Sequence, residues 1–413
     1  MKPSGPIPPD FVRWDGALMI GGRSADAWVD IAGDTPLFVY DSAIVRDRVA
    51  RFRAAFPGVS LHYAVKANPH PPLVRAIGSL VDGIDVASEG EARIALDAGV
   101  DARHISFAGP GKRDRELAMA IEAGITLNLE SAGEADRALA IGRGIGRTPR
   151  LAVRVNPDFE LKGSGMKMGG GAKPFGIDAD QAAAVVGRIV TGGGDYRGLH
   201  IFAGSQALDP QALIEAQASA LRLAARISSE SRIAPPGVNL GGGFGIPYFA
   251  NDLPLDERMV GDALSAALVL RDPILGDTEF TIELGRWLVG EAGVYLTRIV
   301  DRKMSHGETF LVVDGGLHHQ LAASGNFGTV VRRNYPISLT NIRDMTKVED
   351  VSVVGCLCTP IDRLGDHVGL PEAAVGEVVA LFLAGAYGAS ASPQAFLGHP
   401  PPREITIDGT GIL

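Results

Sequence analysis

Short apolar runs alternate with amphipathic stretches from about residue 36 to residue 285. The runs are typical of buried strands, and the stretches between them carry apolar residues at the three- and four-residue spacing of a helix. Strands that alternate with helices predict a parallel sheet, and eight such units predict a closed (β/α)8 barrel of the α/β class. An open doubly wound sheet is the alternative. In chain order from Leu61 to Leu284, the runs are LHYAV, GIDV, HISF, ITLNL, LAVRV, RGLHI, GVNL and FTIEL.

The pattern changes after Leu284. The runs VYLTRIV, TFLVVDGG, VSVVGCLC, EVVALFLAG and EITID are separated by turn residues, with few helical stretches between them. Such runs predict a mostly antiparallel β domain, which the strand-like pieces near the N-terminus could join. We therefore expect a barrel domain over residues 36–285 and a β domain formed by residues 1–35 and 286–413.

Charge and composition exclude several classes of partner. The net charge of −9 is spread along the chain without a long basic patch, so we expect neither nucleic acid nor an anionic membrane as a partner. No apolar run approaches the roughly 20 residues that span a bilayer, and the N-terminus lacks the apolar core of a signal peptide. The only cysteines, Cys356 and Cys358, are too close for an easy disulfide. A reducing cytoplasm is the expected location.

Chemically capable residues cluster at the ends of the predicted barrel strands, where catalytic residues of such barrels lie. Each has an ordinary structural explanation, since a lysine can end a strand in solvent and Gly-Gly-Gly can be a tight turn. Together they supply an amine for an imine, a carboxylate for a pyridine nitrogen and an anion nest, which pyridoxal 5′-phosphate (PLP) requires. The residues are Lys66, Asp85, Arg154, His200, Phe202, Ser205, Gly241, Gly242, Gly243, Glu283 and Arg286.

Several motifs resemble those of the fold-type III PLP-dependent decarboxylases, a family that includes diaminopimelate, ornithine and arginine decarboxylases. The resemblance covers nearly the whole chain and implies a barrel followed by a β domain. The motifs are YAVKAN around Lys66, DVAS followed by EGE, HIFAGSQ, GGGFG, ELGR, GCLCTP and GAYG.

The resemblance also implies a role for each site residue. Lys66 is the Schiff-base lysine, Glu283 contacts the pyridine nitrogen, and Arg154 approaches the phenolic oxygen. Cys358 is the catalytic cysteine, which completes the active site of the partner chain in a head-to-tail homodimer. The other implied cofactor-binding residues are Asp85, His200, Phe202 and Ser205, with Gly241, Gly242, Gly243, Arg286 and Tyr387 at the phosphate.

Four departures from the family pattern bear on the substrate. Phe202 replaces a histidine that stacks on the cofactor, and Leu284 replaces a proline. Thr359 stands where diaminopimelate decarboxylases carry a substrate-binding glutamate. The segment 161–176, which covers the region of the distal substrate group, contains Lys162, Lys167 and Lys173 but no acid.

A distal ammonium needs a buried carboxylate partner, so these departures argue against diaminopimelate, ornithine and lysine as substrates. A distal carboxylate, a neutral group or an acylated carrier arm fits better. The pattern is most similar to the exosortase A system-associated pyridoxal-dependent decarboxylases and to the glutamyl–carrier-protein decarboxylase of aminoglycoside biosynthesis. We therefore expect decarboxylation of an amino acid or of an aminoacyl-carrier substrate.

Three rival functions remain open. The chain could be a diaminopimelate decarboxylase proper, or a fold-type III racemase, although racemases need a tyrosine base where this chain offers Cys358. A non-enzymatic decoy would have lost cofactor-binding residues that are kept here. No metal is expected, because adjacent His318 and His319 cannot easily share one ion and no Cys or Asp ligands accompany them in sequence. The spacing of Cys356 and Cys358 leaves a soft-metal site as a weak alternative.

Overall fold

The computed structural model describes residues 1–161, 163, 165–167, 169–325, 333–342, 344 and 346–413. Within it the chain forms two compact units. The first, the barrel unit, consists of Arg48–Gly245 and Pro254–Gly285. The second, the β unit, consists of Met1–Asp47, Ile246–Leu253 and Arg286–Leu413.

Eight parallel strands close the barrel unit. Each strand pairs in parallel with the next along the chain, and the eighth pairs with the first. The closed barrel is therefore confirmed, and the open doubly wound sheet is wrong. The strands are Ser60–Ala64, Gly83–Val86, Ile105–Phe107, Thr126–Leu129, Arg150–Asn156, Asp195–Ile201, Gly237–Gly242 and Glu279–Leu284.

Helices separate these strands, as the spacing of apolar residues predicts. Local capping fixes where several begin: the hydroxyls of Ser88 and Ser131 accept hydrogen bonds from the backbone N–H groups of Glu91 and Glu134. The α-helices are Ser42–Ala55, Pro71–Gly78, Glu89–Asp97, Asp114–Ala123, Ala132–Ile145, Ala182–Thr191, Pro210–Ser231 and Glu257–Val269, with 3-10 turns at Val65–Ala67, Ala102–His104 and Pro273–Leu275.

Two short additions extend the ends of the fifth and sixth barrel strands. Ile177–Asp178 pairs in parallel with the fifth strand, and Met166–Lys167 pairs antiparallel with Gly204–Ser205. Throughout the described ranges, no helix is both long enough and apolar enough to cross a membrane.

The β unit is built on a mostly antiparallel sheet, as predicted. The long strand Gly293–Ser305 is its centre, because it pairs with Leu37–Asp41, Glu308–Val313 and Val378–Phe382. Among the described residues, two pairs of its strands are parallel: Glu308–Val313 with Val348–Val354, and Leu37–Asp41 with Arg403–Asp408. The remaining strands are Arg13–Trp14, Ala17–Ile20, Arg23–Ser24, Ile337–Leu339, Arg363–Pro371 and Gly411–Ile412; the helices are Ala25–Ala32 and Arg286–Val289, with 3-10 turns at Gly290–Ala292, Leu321–Ser324, Ala389–Ala391 and Phe396–Gly398.

The observed division differs from the predicted boundaries at two segments. Leu37–Asp41 falls within the predicted barrel range, but it pairs with two strands of the β unit. Ile246–Leu253 also belongs to the β unit. There Tyr248 packs on Tyr335, with their ring centroids 4.8 Å apart. Both differences arise from contacts between residues far apart in sequence, which a local apolar pattern does not encode.

Gly198 lies at an irregularity in the sixth barrel strand, where the register with the fifth strand shifts. Its φ of +116° is one that L side chains rarely adopt. A Cβ at this position would lie 1.8 Å from the carbonyl oxygen of Gly237 on the seventh strand. Only glycine therefore allows these two strands to approach as they do.

We predict that Gly198→Ala lowers the free energy of unfolding by about 3 kcal/mol, through backbone strain and overpacking. Urea unfolding followed by far-ultraviolet circular dichroism measures the loss. Gly187→Ala is the matched control, because Gly187 lies in the helix Ala182–Thr191 and a Cβ there would meet nothing within 4 Å. The control should be neutral or slightly stabilising. Equal urea midpoints for both variants would contradict the prediction.

Candidate active site

Lys66 and Glu283 come together at the C-terminal ends of the first and eighth barrel strands. Lys66 lies in the 3-10 turn directly after the first strand, and Glu283 is the penultimate residue of the eighth. Because these two strands pair, the Lys66 Nζ lies 3.5 Å from the Glu283 Oε1. The lysine side chain is 42% exposed and the glutamate side chain only 4% exposed. The arrangement offers a reachable amine beside a buried carboxylate.

His200, near the end of the sixth strand, holds the other oxygen of this carboxylate. Burial alone would raise the pKa of Glu283, but the charge of Lys66 and a hydrogen bond from His200 outweigh it and hold the pKa well below its usual range. An ionised carboxylate only accepts hydrogen bonds, so the His200 Nε2 donates to Glu283 Oε2 at 3.0 Å. The buried Nδ1 of His200 has no hydrogen-bond partner within the described parts of the chain.

Phe202 follows the same strand, and its ring lies beside the lysine. The Lys66 Nζ is 5.2 Å from the ring centroid, within the range of a cation–π contact. The ring is buried and carries no titratable group. Phe202 can therefore stack against a flat ligand but cannot exchange a proton with it.

The Gly-Gly-Gly turn at the end of the seventh strand is packed too closely for side chains. Gly241 and Gly243 have φ values of +70° and +82°. A Cβ on Gly242 would lie 1.9 Å from the carbonyl oxygen of Glu283, and one on Gly243 would lie 2.6 Å from that of Gly204. Ser205, in the two-residue strand after Phe202, follows Gly204 directly. The turn is a bare backbone surface of the kind that anions approach.

Asp85, in the second strand, lies in a separate polar group inside the barrel. Its Oδ1 accepts hydrogen bonds from the hydroxyl of Ser106 and from His62, whose Nδ1 is 3.3 Å away. Burial alone would lower the pKa of His62, but the charge of Asp85 raises it. The buried Oδ2 of Asp85 has no partner among the residues that the structure describes.

Arg154 is held by a glutamate that the sequence analysis did not single out. The Arg154 Nη1 donates to Glu130 Oε1 at 2.7 Å, and both side chains are buried. Burial would raise the pKa of Glu130, but the Arg154 charge and other donors lower it. Glu130 directly follows the fourth strand, Thr126–Leu129, so the strand-end rule that found Lys66 would also have found it.

In the β unit, Arg286 is surrounded by tyrosines. Its Nη1 donates to the Tyr248 hydroxyl at 2.8 Å, and its guanidinium carbon lies 4.7 Å from the centroid of the Tyr387 ring. Tyr387 has a φ of +55°, which is unusual for a side chain of this size. The buried Nε of Arg286 has no hydrogen-bond partner in the described ranges. Tyr248 was missed in sequence, because it lies in a segment without strand or helix periodicity.

Cys358 is exposed on a turn that a buried aspartate organises. Asp362 accepts hydrogen bonds from the backbone N–H groups of Leu357 and Leu317, at 2.9 Å and 2.6 Å. The N–H of Thr359 donates to the carbonyl oxygen of Leu357 at 2.8 Å, which closes the turn around Cys358. The thiol of Cys358 is therefore presented outward from the β unit.

The three lysines expected near the distal end of the substrate are only partly covered by the structure. Lys162 lies outside the described residues. Lys167 takes part in the short strand with Gly204, and Lys173 is half-buried.

The residues of the barrel unit fit PLP. Lys66 supplies an amine for an imine, and Glu283 supplies an ionised, buried carboxylate that can keep a pyridine nitrogen protonated. The turn at Gly241, Gly242 and Gly243 presents backbone without side chains, which is a common feature of sites that bind anions. The Nδ1 of His200, on the other side of the imidazole from Glu283, is a buried polar atom without a hydrogen-bond partner among the described residues.

Comparison with known proteins agrees with this assignment. Residues 42–290 match the family model of the pyridoxal-dependent decarboxylases, pyridoxal binding domain. The chain is 36% identical to an L-glutamyl-[BtrI acyl-carrier protein] decarboxylase of Niallia circulans, over 90% of this chain and 88% of that protein. It is 31% identical to a diaminopimelate decarboxylase of Methanothermobacter thermautotrophicus, over 97% and 92%.

Among solved structures, the chain is similar to a diaminopimelate decarboxylase of M. jannaschii, with a TM-score of 0.88 and 26% identity over 98% of this chain and 94% of that one. The expected family, barrel fold and cofactor are therefore confirmed. The chain belongs to the fold-type III pyridoxal-dependent decarboxylases, and it is a PLP-dependent carboxy-lyase.

Proposed function

We propose that this decarboxylase acts on an amino acid that is carried on an acyl-carrier protein, with glutamyl-carrier as the first candidate. The observation that carries the proposal is the 36% identity, over 90% of the chain, to a decarboxylase of a glutamyl-carrier protein. Thr359 supports it, since it offers no carboxylate beside Cys358 for a distal ammonium. A free α-amino acid with a distal carboxylate or a neutral side chain is the next candidate.

The roles of the site residues follow from their surroundings. When bound, PLP supplies the electron sink for the electron pair that CO2 leaves behind. Lys66 provides the amine that holds the cofactor, and Glu283 keeps a proton at the pyridine nitrogen. His200 orients Glu283 through its Nε2–H, and Phe202 shields one face of the site from water. Asp85 stays a candidate cofactor-binding residue through its unpartnered Oδ2.

We assign the phosphate to the glycine turn and to cationic or hydroxyl donors. Gly241, Gly242 and Gly243 provide backbone without side chains, and Ser205 directly follows Gly204, whose carbonyl oxygen a Cβ on Gly243 would meet at 2.6 Å. Arg286 and Tyr387 of the β unit provide a charge and a hydroxyl. Arg154, fixed by Glu130, is assigned to the phenolic oxygen of the cofactor. A racemase is disfavoured, because the residue proposed to act from the partner chain is Cys358 and not a tyrosine.

We also propose that the active enzyme is a homodimer in which Cys358 completes the site of the partner chain. Its exposed position on a tight turn supports this role, because the thiol is available to another chain. Both cysteines are free, which supports the proposed location in a reducing cytoplasm.

The substrate proposal predicts that glutamyl-carrier protein is decarboxylated at least about 100-fold more efficiently than diaminopimelate, ornithine or lysine, or about 2.7 kcal/mol in discrimination. An unpaired buried ammonium accounts for the penalty. Release of CO2 and kcat/KM are measured over a panel of free amino acids and aminoacyl-carriers. A kcat/KM for diaminopimelate within about tenfold of the best substrate would refute the proposal. Stereochemical inversion without CO2 would indicate a racemase.

Glu283→Gln is predicted to reduce kcat at least about 100-fold while cofactor content stays close to that of the wild type. Glutamine keeps the shape of the side chain but removes the negative charge that holds the pyridine proton. Glu279→Gln is the matched control, since Glu279 is exposed at the opposite end of the same strand. Cofactor is quantified after denaturation of each variant. An unchanged kcat in Glu283→Gln would reduce Glu283 to a structural role.

Subunit mixing tests the shared site. Lys66→Ala and Cys358→Ala should each be inactive alone, and Lys66→Ala should also lose the absorbance of the lysine-bound cofactor. Random exchange should restore about a quarter of wild-type activity, because half of the dimers are mixed and each has one intact site. Exchange is verified by native mass spectrometry of differently tagged chains. Absence of recovery after verified exchange would rule out a site completed by Cys358 of the partner.

A further inference from the structure

Three potential metal ligands meet in the β unit. His318 lies in the turn after the strand Glu308–Val313, Cys356 lies just after Val348–Val354, and His399 ends the 3-10 turn Phe396–Gly398. Their ligand atoms all lie within 4.8 Å of one another, and the Cys356 Sγ is 3.9 Å from the His399 Nδ1. Because the three segments are far apart in sequence, no cysteine lies near the histidine pair along the chain, and the expectation of no metal site took no account of this cluster.

The imidazole of His318 is buried and lacks hydrogen-bond partners among the described residues. Its side chain is fully buried, and neither ring nitrogen has a hydrogen-bond partner in the part of the chain that the structure describes. An imidazole buried in this way costs free energy unless something binds it. The ring faces the same cluster, since its centroid lies 5.2 Å from that of His399.

The neighbouring His319 is engaged elsewhere. Its Nδ1 is 3.0 Å from the hydroxyl of Tyr295, and its Nε2 is 3.0 Å from the carbonyl oxygen of Pro400. Of the adjacent pair, only His318 therefore has nitrogens available. A metal site at this cluster therefore uses one histidine of the adjacent pair and does not require both to bind the same ion.

We propose that His318, Cys356 and His399 bind a thiophilic divalent metal ion, for which Zn²⁺ fits best. Imidazole nitrogen and thiolate sulfur are each usual zinc ligands, and three protein ligands leave a fourth position for water. Bond lengths of about 2.0–2.3 Å place the tetrahedral nitrogen and sulfur atoms about 3.3–3.6 Å apart, so the cluster has to contract by up to about 1.5 Å. Cys356 and His399 are only half-buried, which gives the ion a path from solvent.

Binding converts the Cys356 thiol to a thiolate, and the proton leaves to solvent. Before the metal binds, the Cys356 thiol can donate a hydrogen bond to the carbonyl oxygen of Asp314, which lies 3.4 Å from the Sγ. The ion would join three loops of the β unit, so we expect it to stabilise the folded chain. This role is separate from decarboxylation, which uses PLP.

The test is calorimetric titration of Zn²⁺ into chelator-treated, untagged holoenzyme, with thermal unfolding measured on the same samples. We expect about one ion per chain and a melting temperature that rises with Zn²⁺. Cys356→Ser and His399→Ala should each weaken binding at least about 100-fold and abolish the rise in melting temperature. Cys358→Ser is the matched control and should bind as the wild type does, because Cys358 is the other cysteine of the same loop.

Co²⁺ provides a second readout that identifies the ligands. Wild-type enzyme loaded with Co²⁺ should show the intense visible bands of a tetrahedral thiolate complex, and Cys356→Ser should not. Saturable binding that Cys356→Ser and His399→Ala retain would overturn the proposal. Binding lost only in Cys358→Ser would also overturn it, because the ion would then lie at the proposed catalytic thiol. No saturable binding by the wild type would overturn it as well.

Discussion

The buried carboxylate of Glu283 is the group on which the geometry of the candidate active site depends. An ionised carboxylate in the interior of a protein is costly unless charges and hydrogen bonds compensate it. Here Lys66 and His200 provide the compensation, and they come from the first and sixth barrel strands. The first strand reaches the eighth only because the barrel closes. The electrostatics of the site therefore depend on barrel closure, because in an open sheet the buried carboxylate of Glu283 would lack the amine of Lys66.

The same principle recurs elsewhere in the barrel unit. Lys112 and Glu134 form a buried ion pair at 2.8 Å, and Arg154 and Glu130 form another at 2.7 Å. Burial lowers the pKa of Lys112 against the opposing effect of Glu134. Such pairs contribute little net stability, because desolvation offsets their attraction. Their main effect is to fix the positions of side chains such as Arg154. Fixed side-chain positions matter more to a functional site than additional stability does.

The sequence was most informative where local patterns decide the outcome. All eight barrel strands were predicted from their apolar runs, and Lys66, His200 and Glu283 were selected as candidates from their positions at strand ends. Glu130 could have been found in the same way. Tyr248 could not, because its segment carries no periodicity and its role depends on contact with Arg286. The placement of Leu37–Asp41 in the β unit likewise depends on long-range pairing, which one sequence does not reveal.

The two cysteines show how a turn can give neighbouring residues opposite environments. In an extended strand, residues two apart face the same side, so Cys356 and Cys358 would be equivalent. The N–H of Leu357 donates to the carboxylate of Asp362, and the N–H of Thr359 donates to the carbonyl oxygen of Leu357. These two hydrogen bonds interrupt the extended conformation. As a result Cys356 turns toward Asp314, and burial raises the pKa of its thiol to about 11.

Cys358, in contrast, stays exposed. A protonated, half-buried thiol is a poor nucleophile, but a metal can convert it to a ligand, whereas an exposed thiol is free to meet another chain. Asp362 is therefore the residue that separates the two proposed roles, because its carboxylate holds the turn between the two cysteines in place.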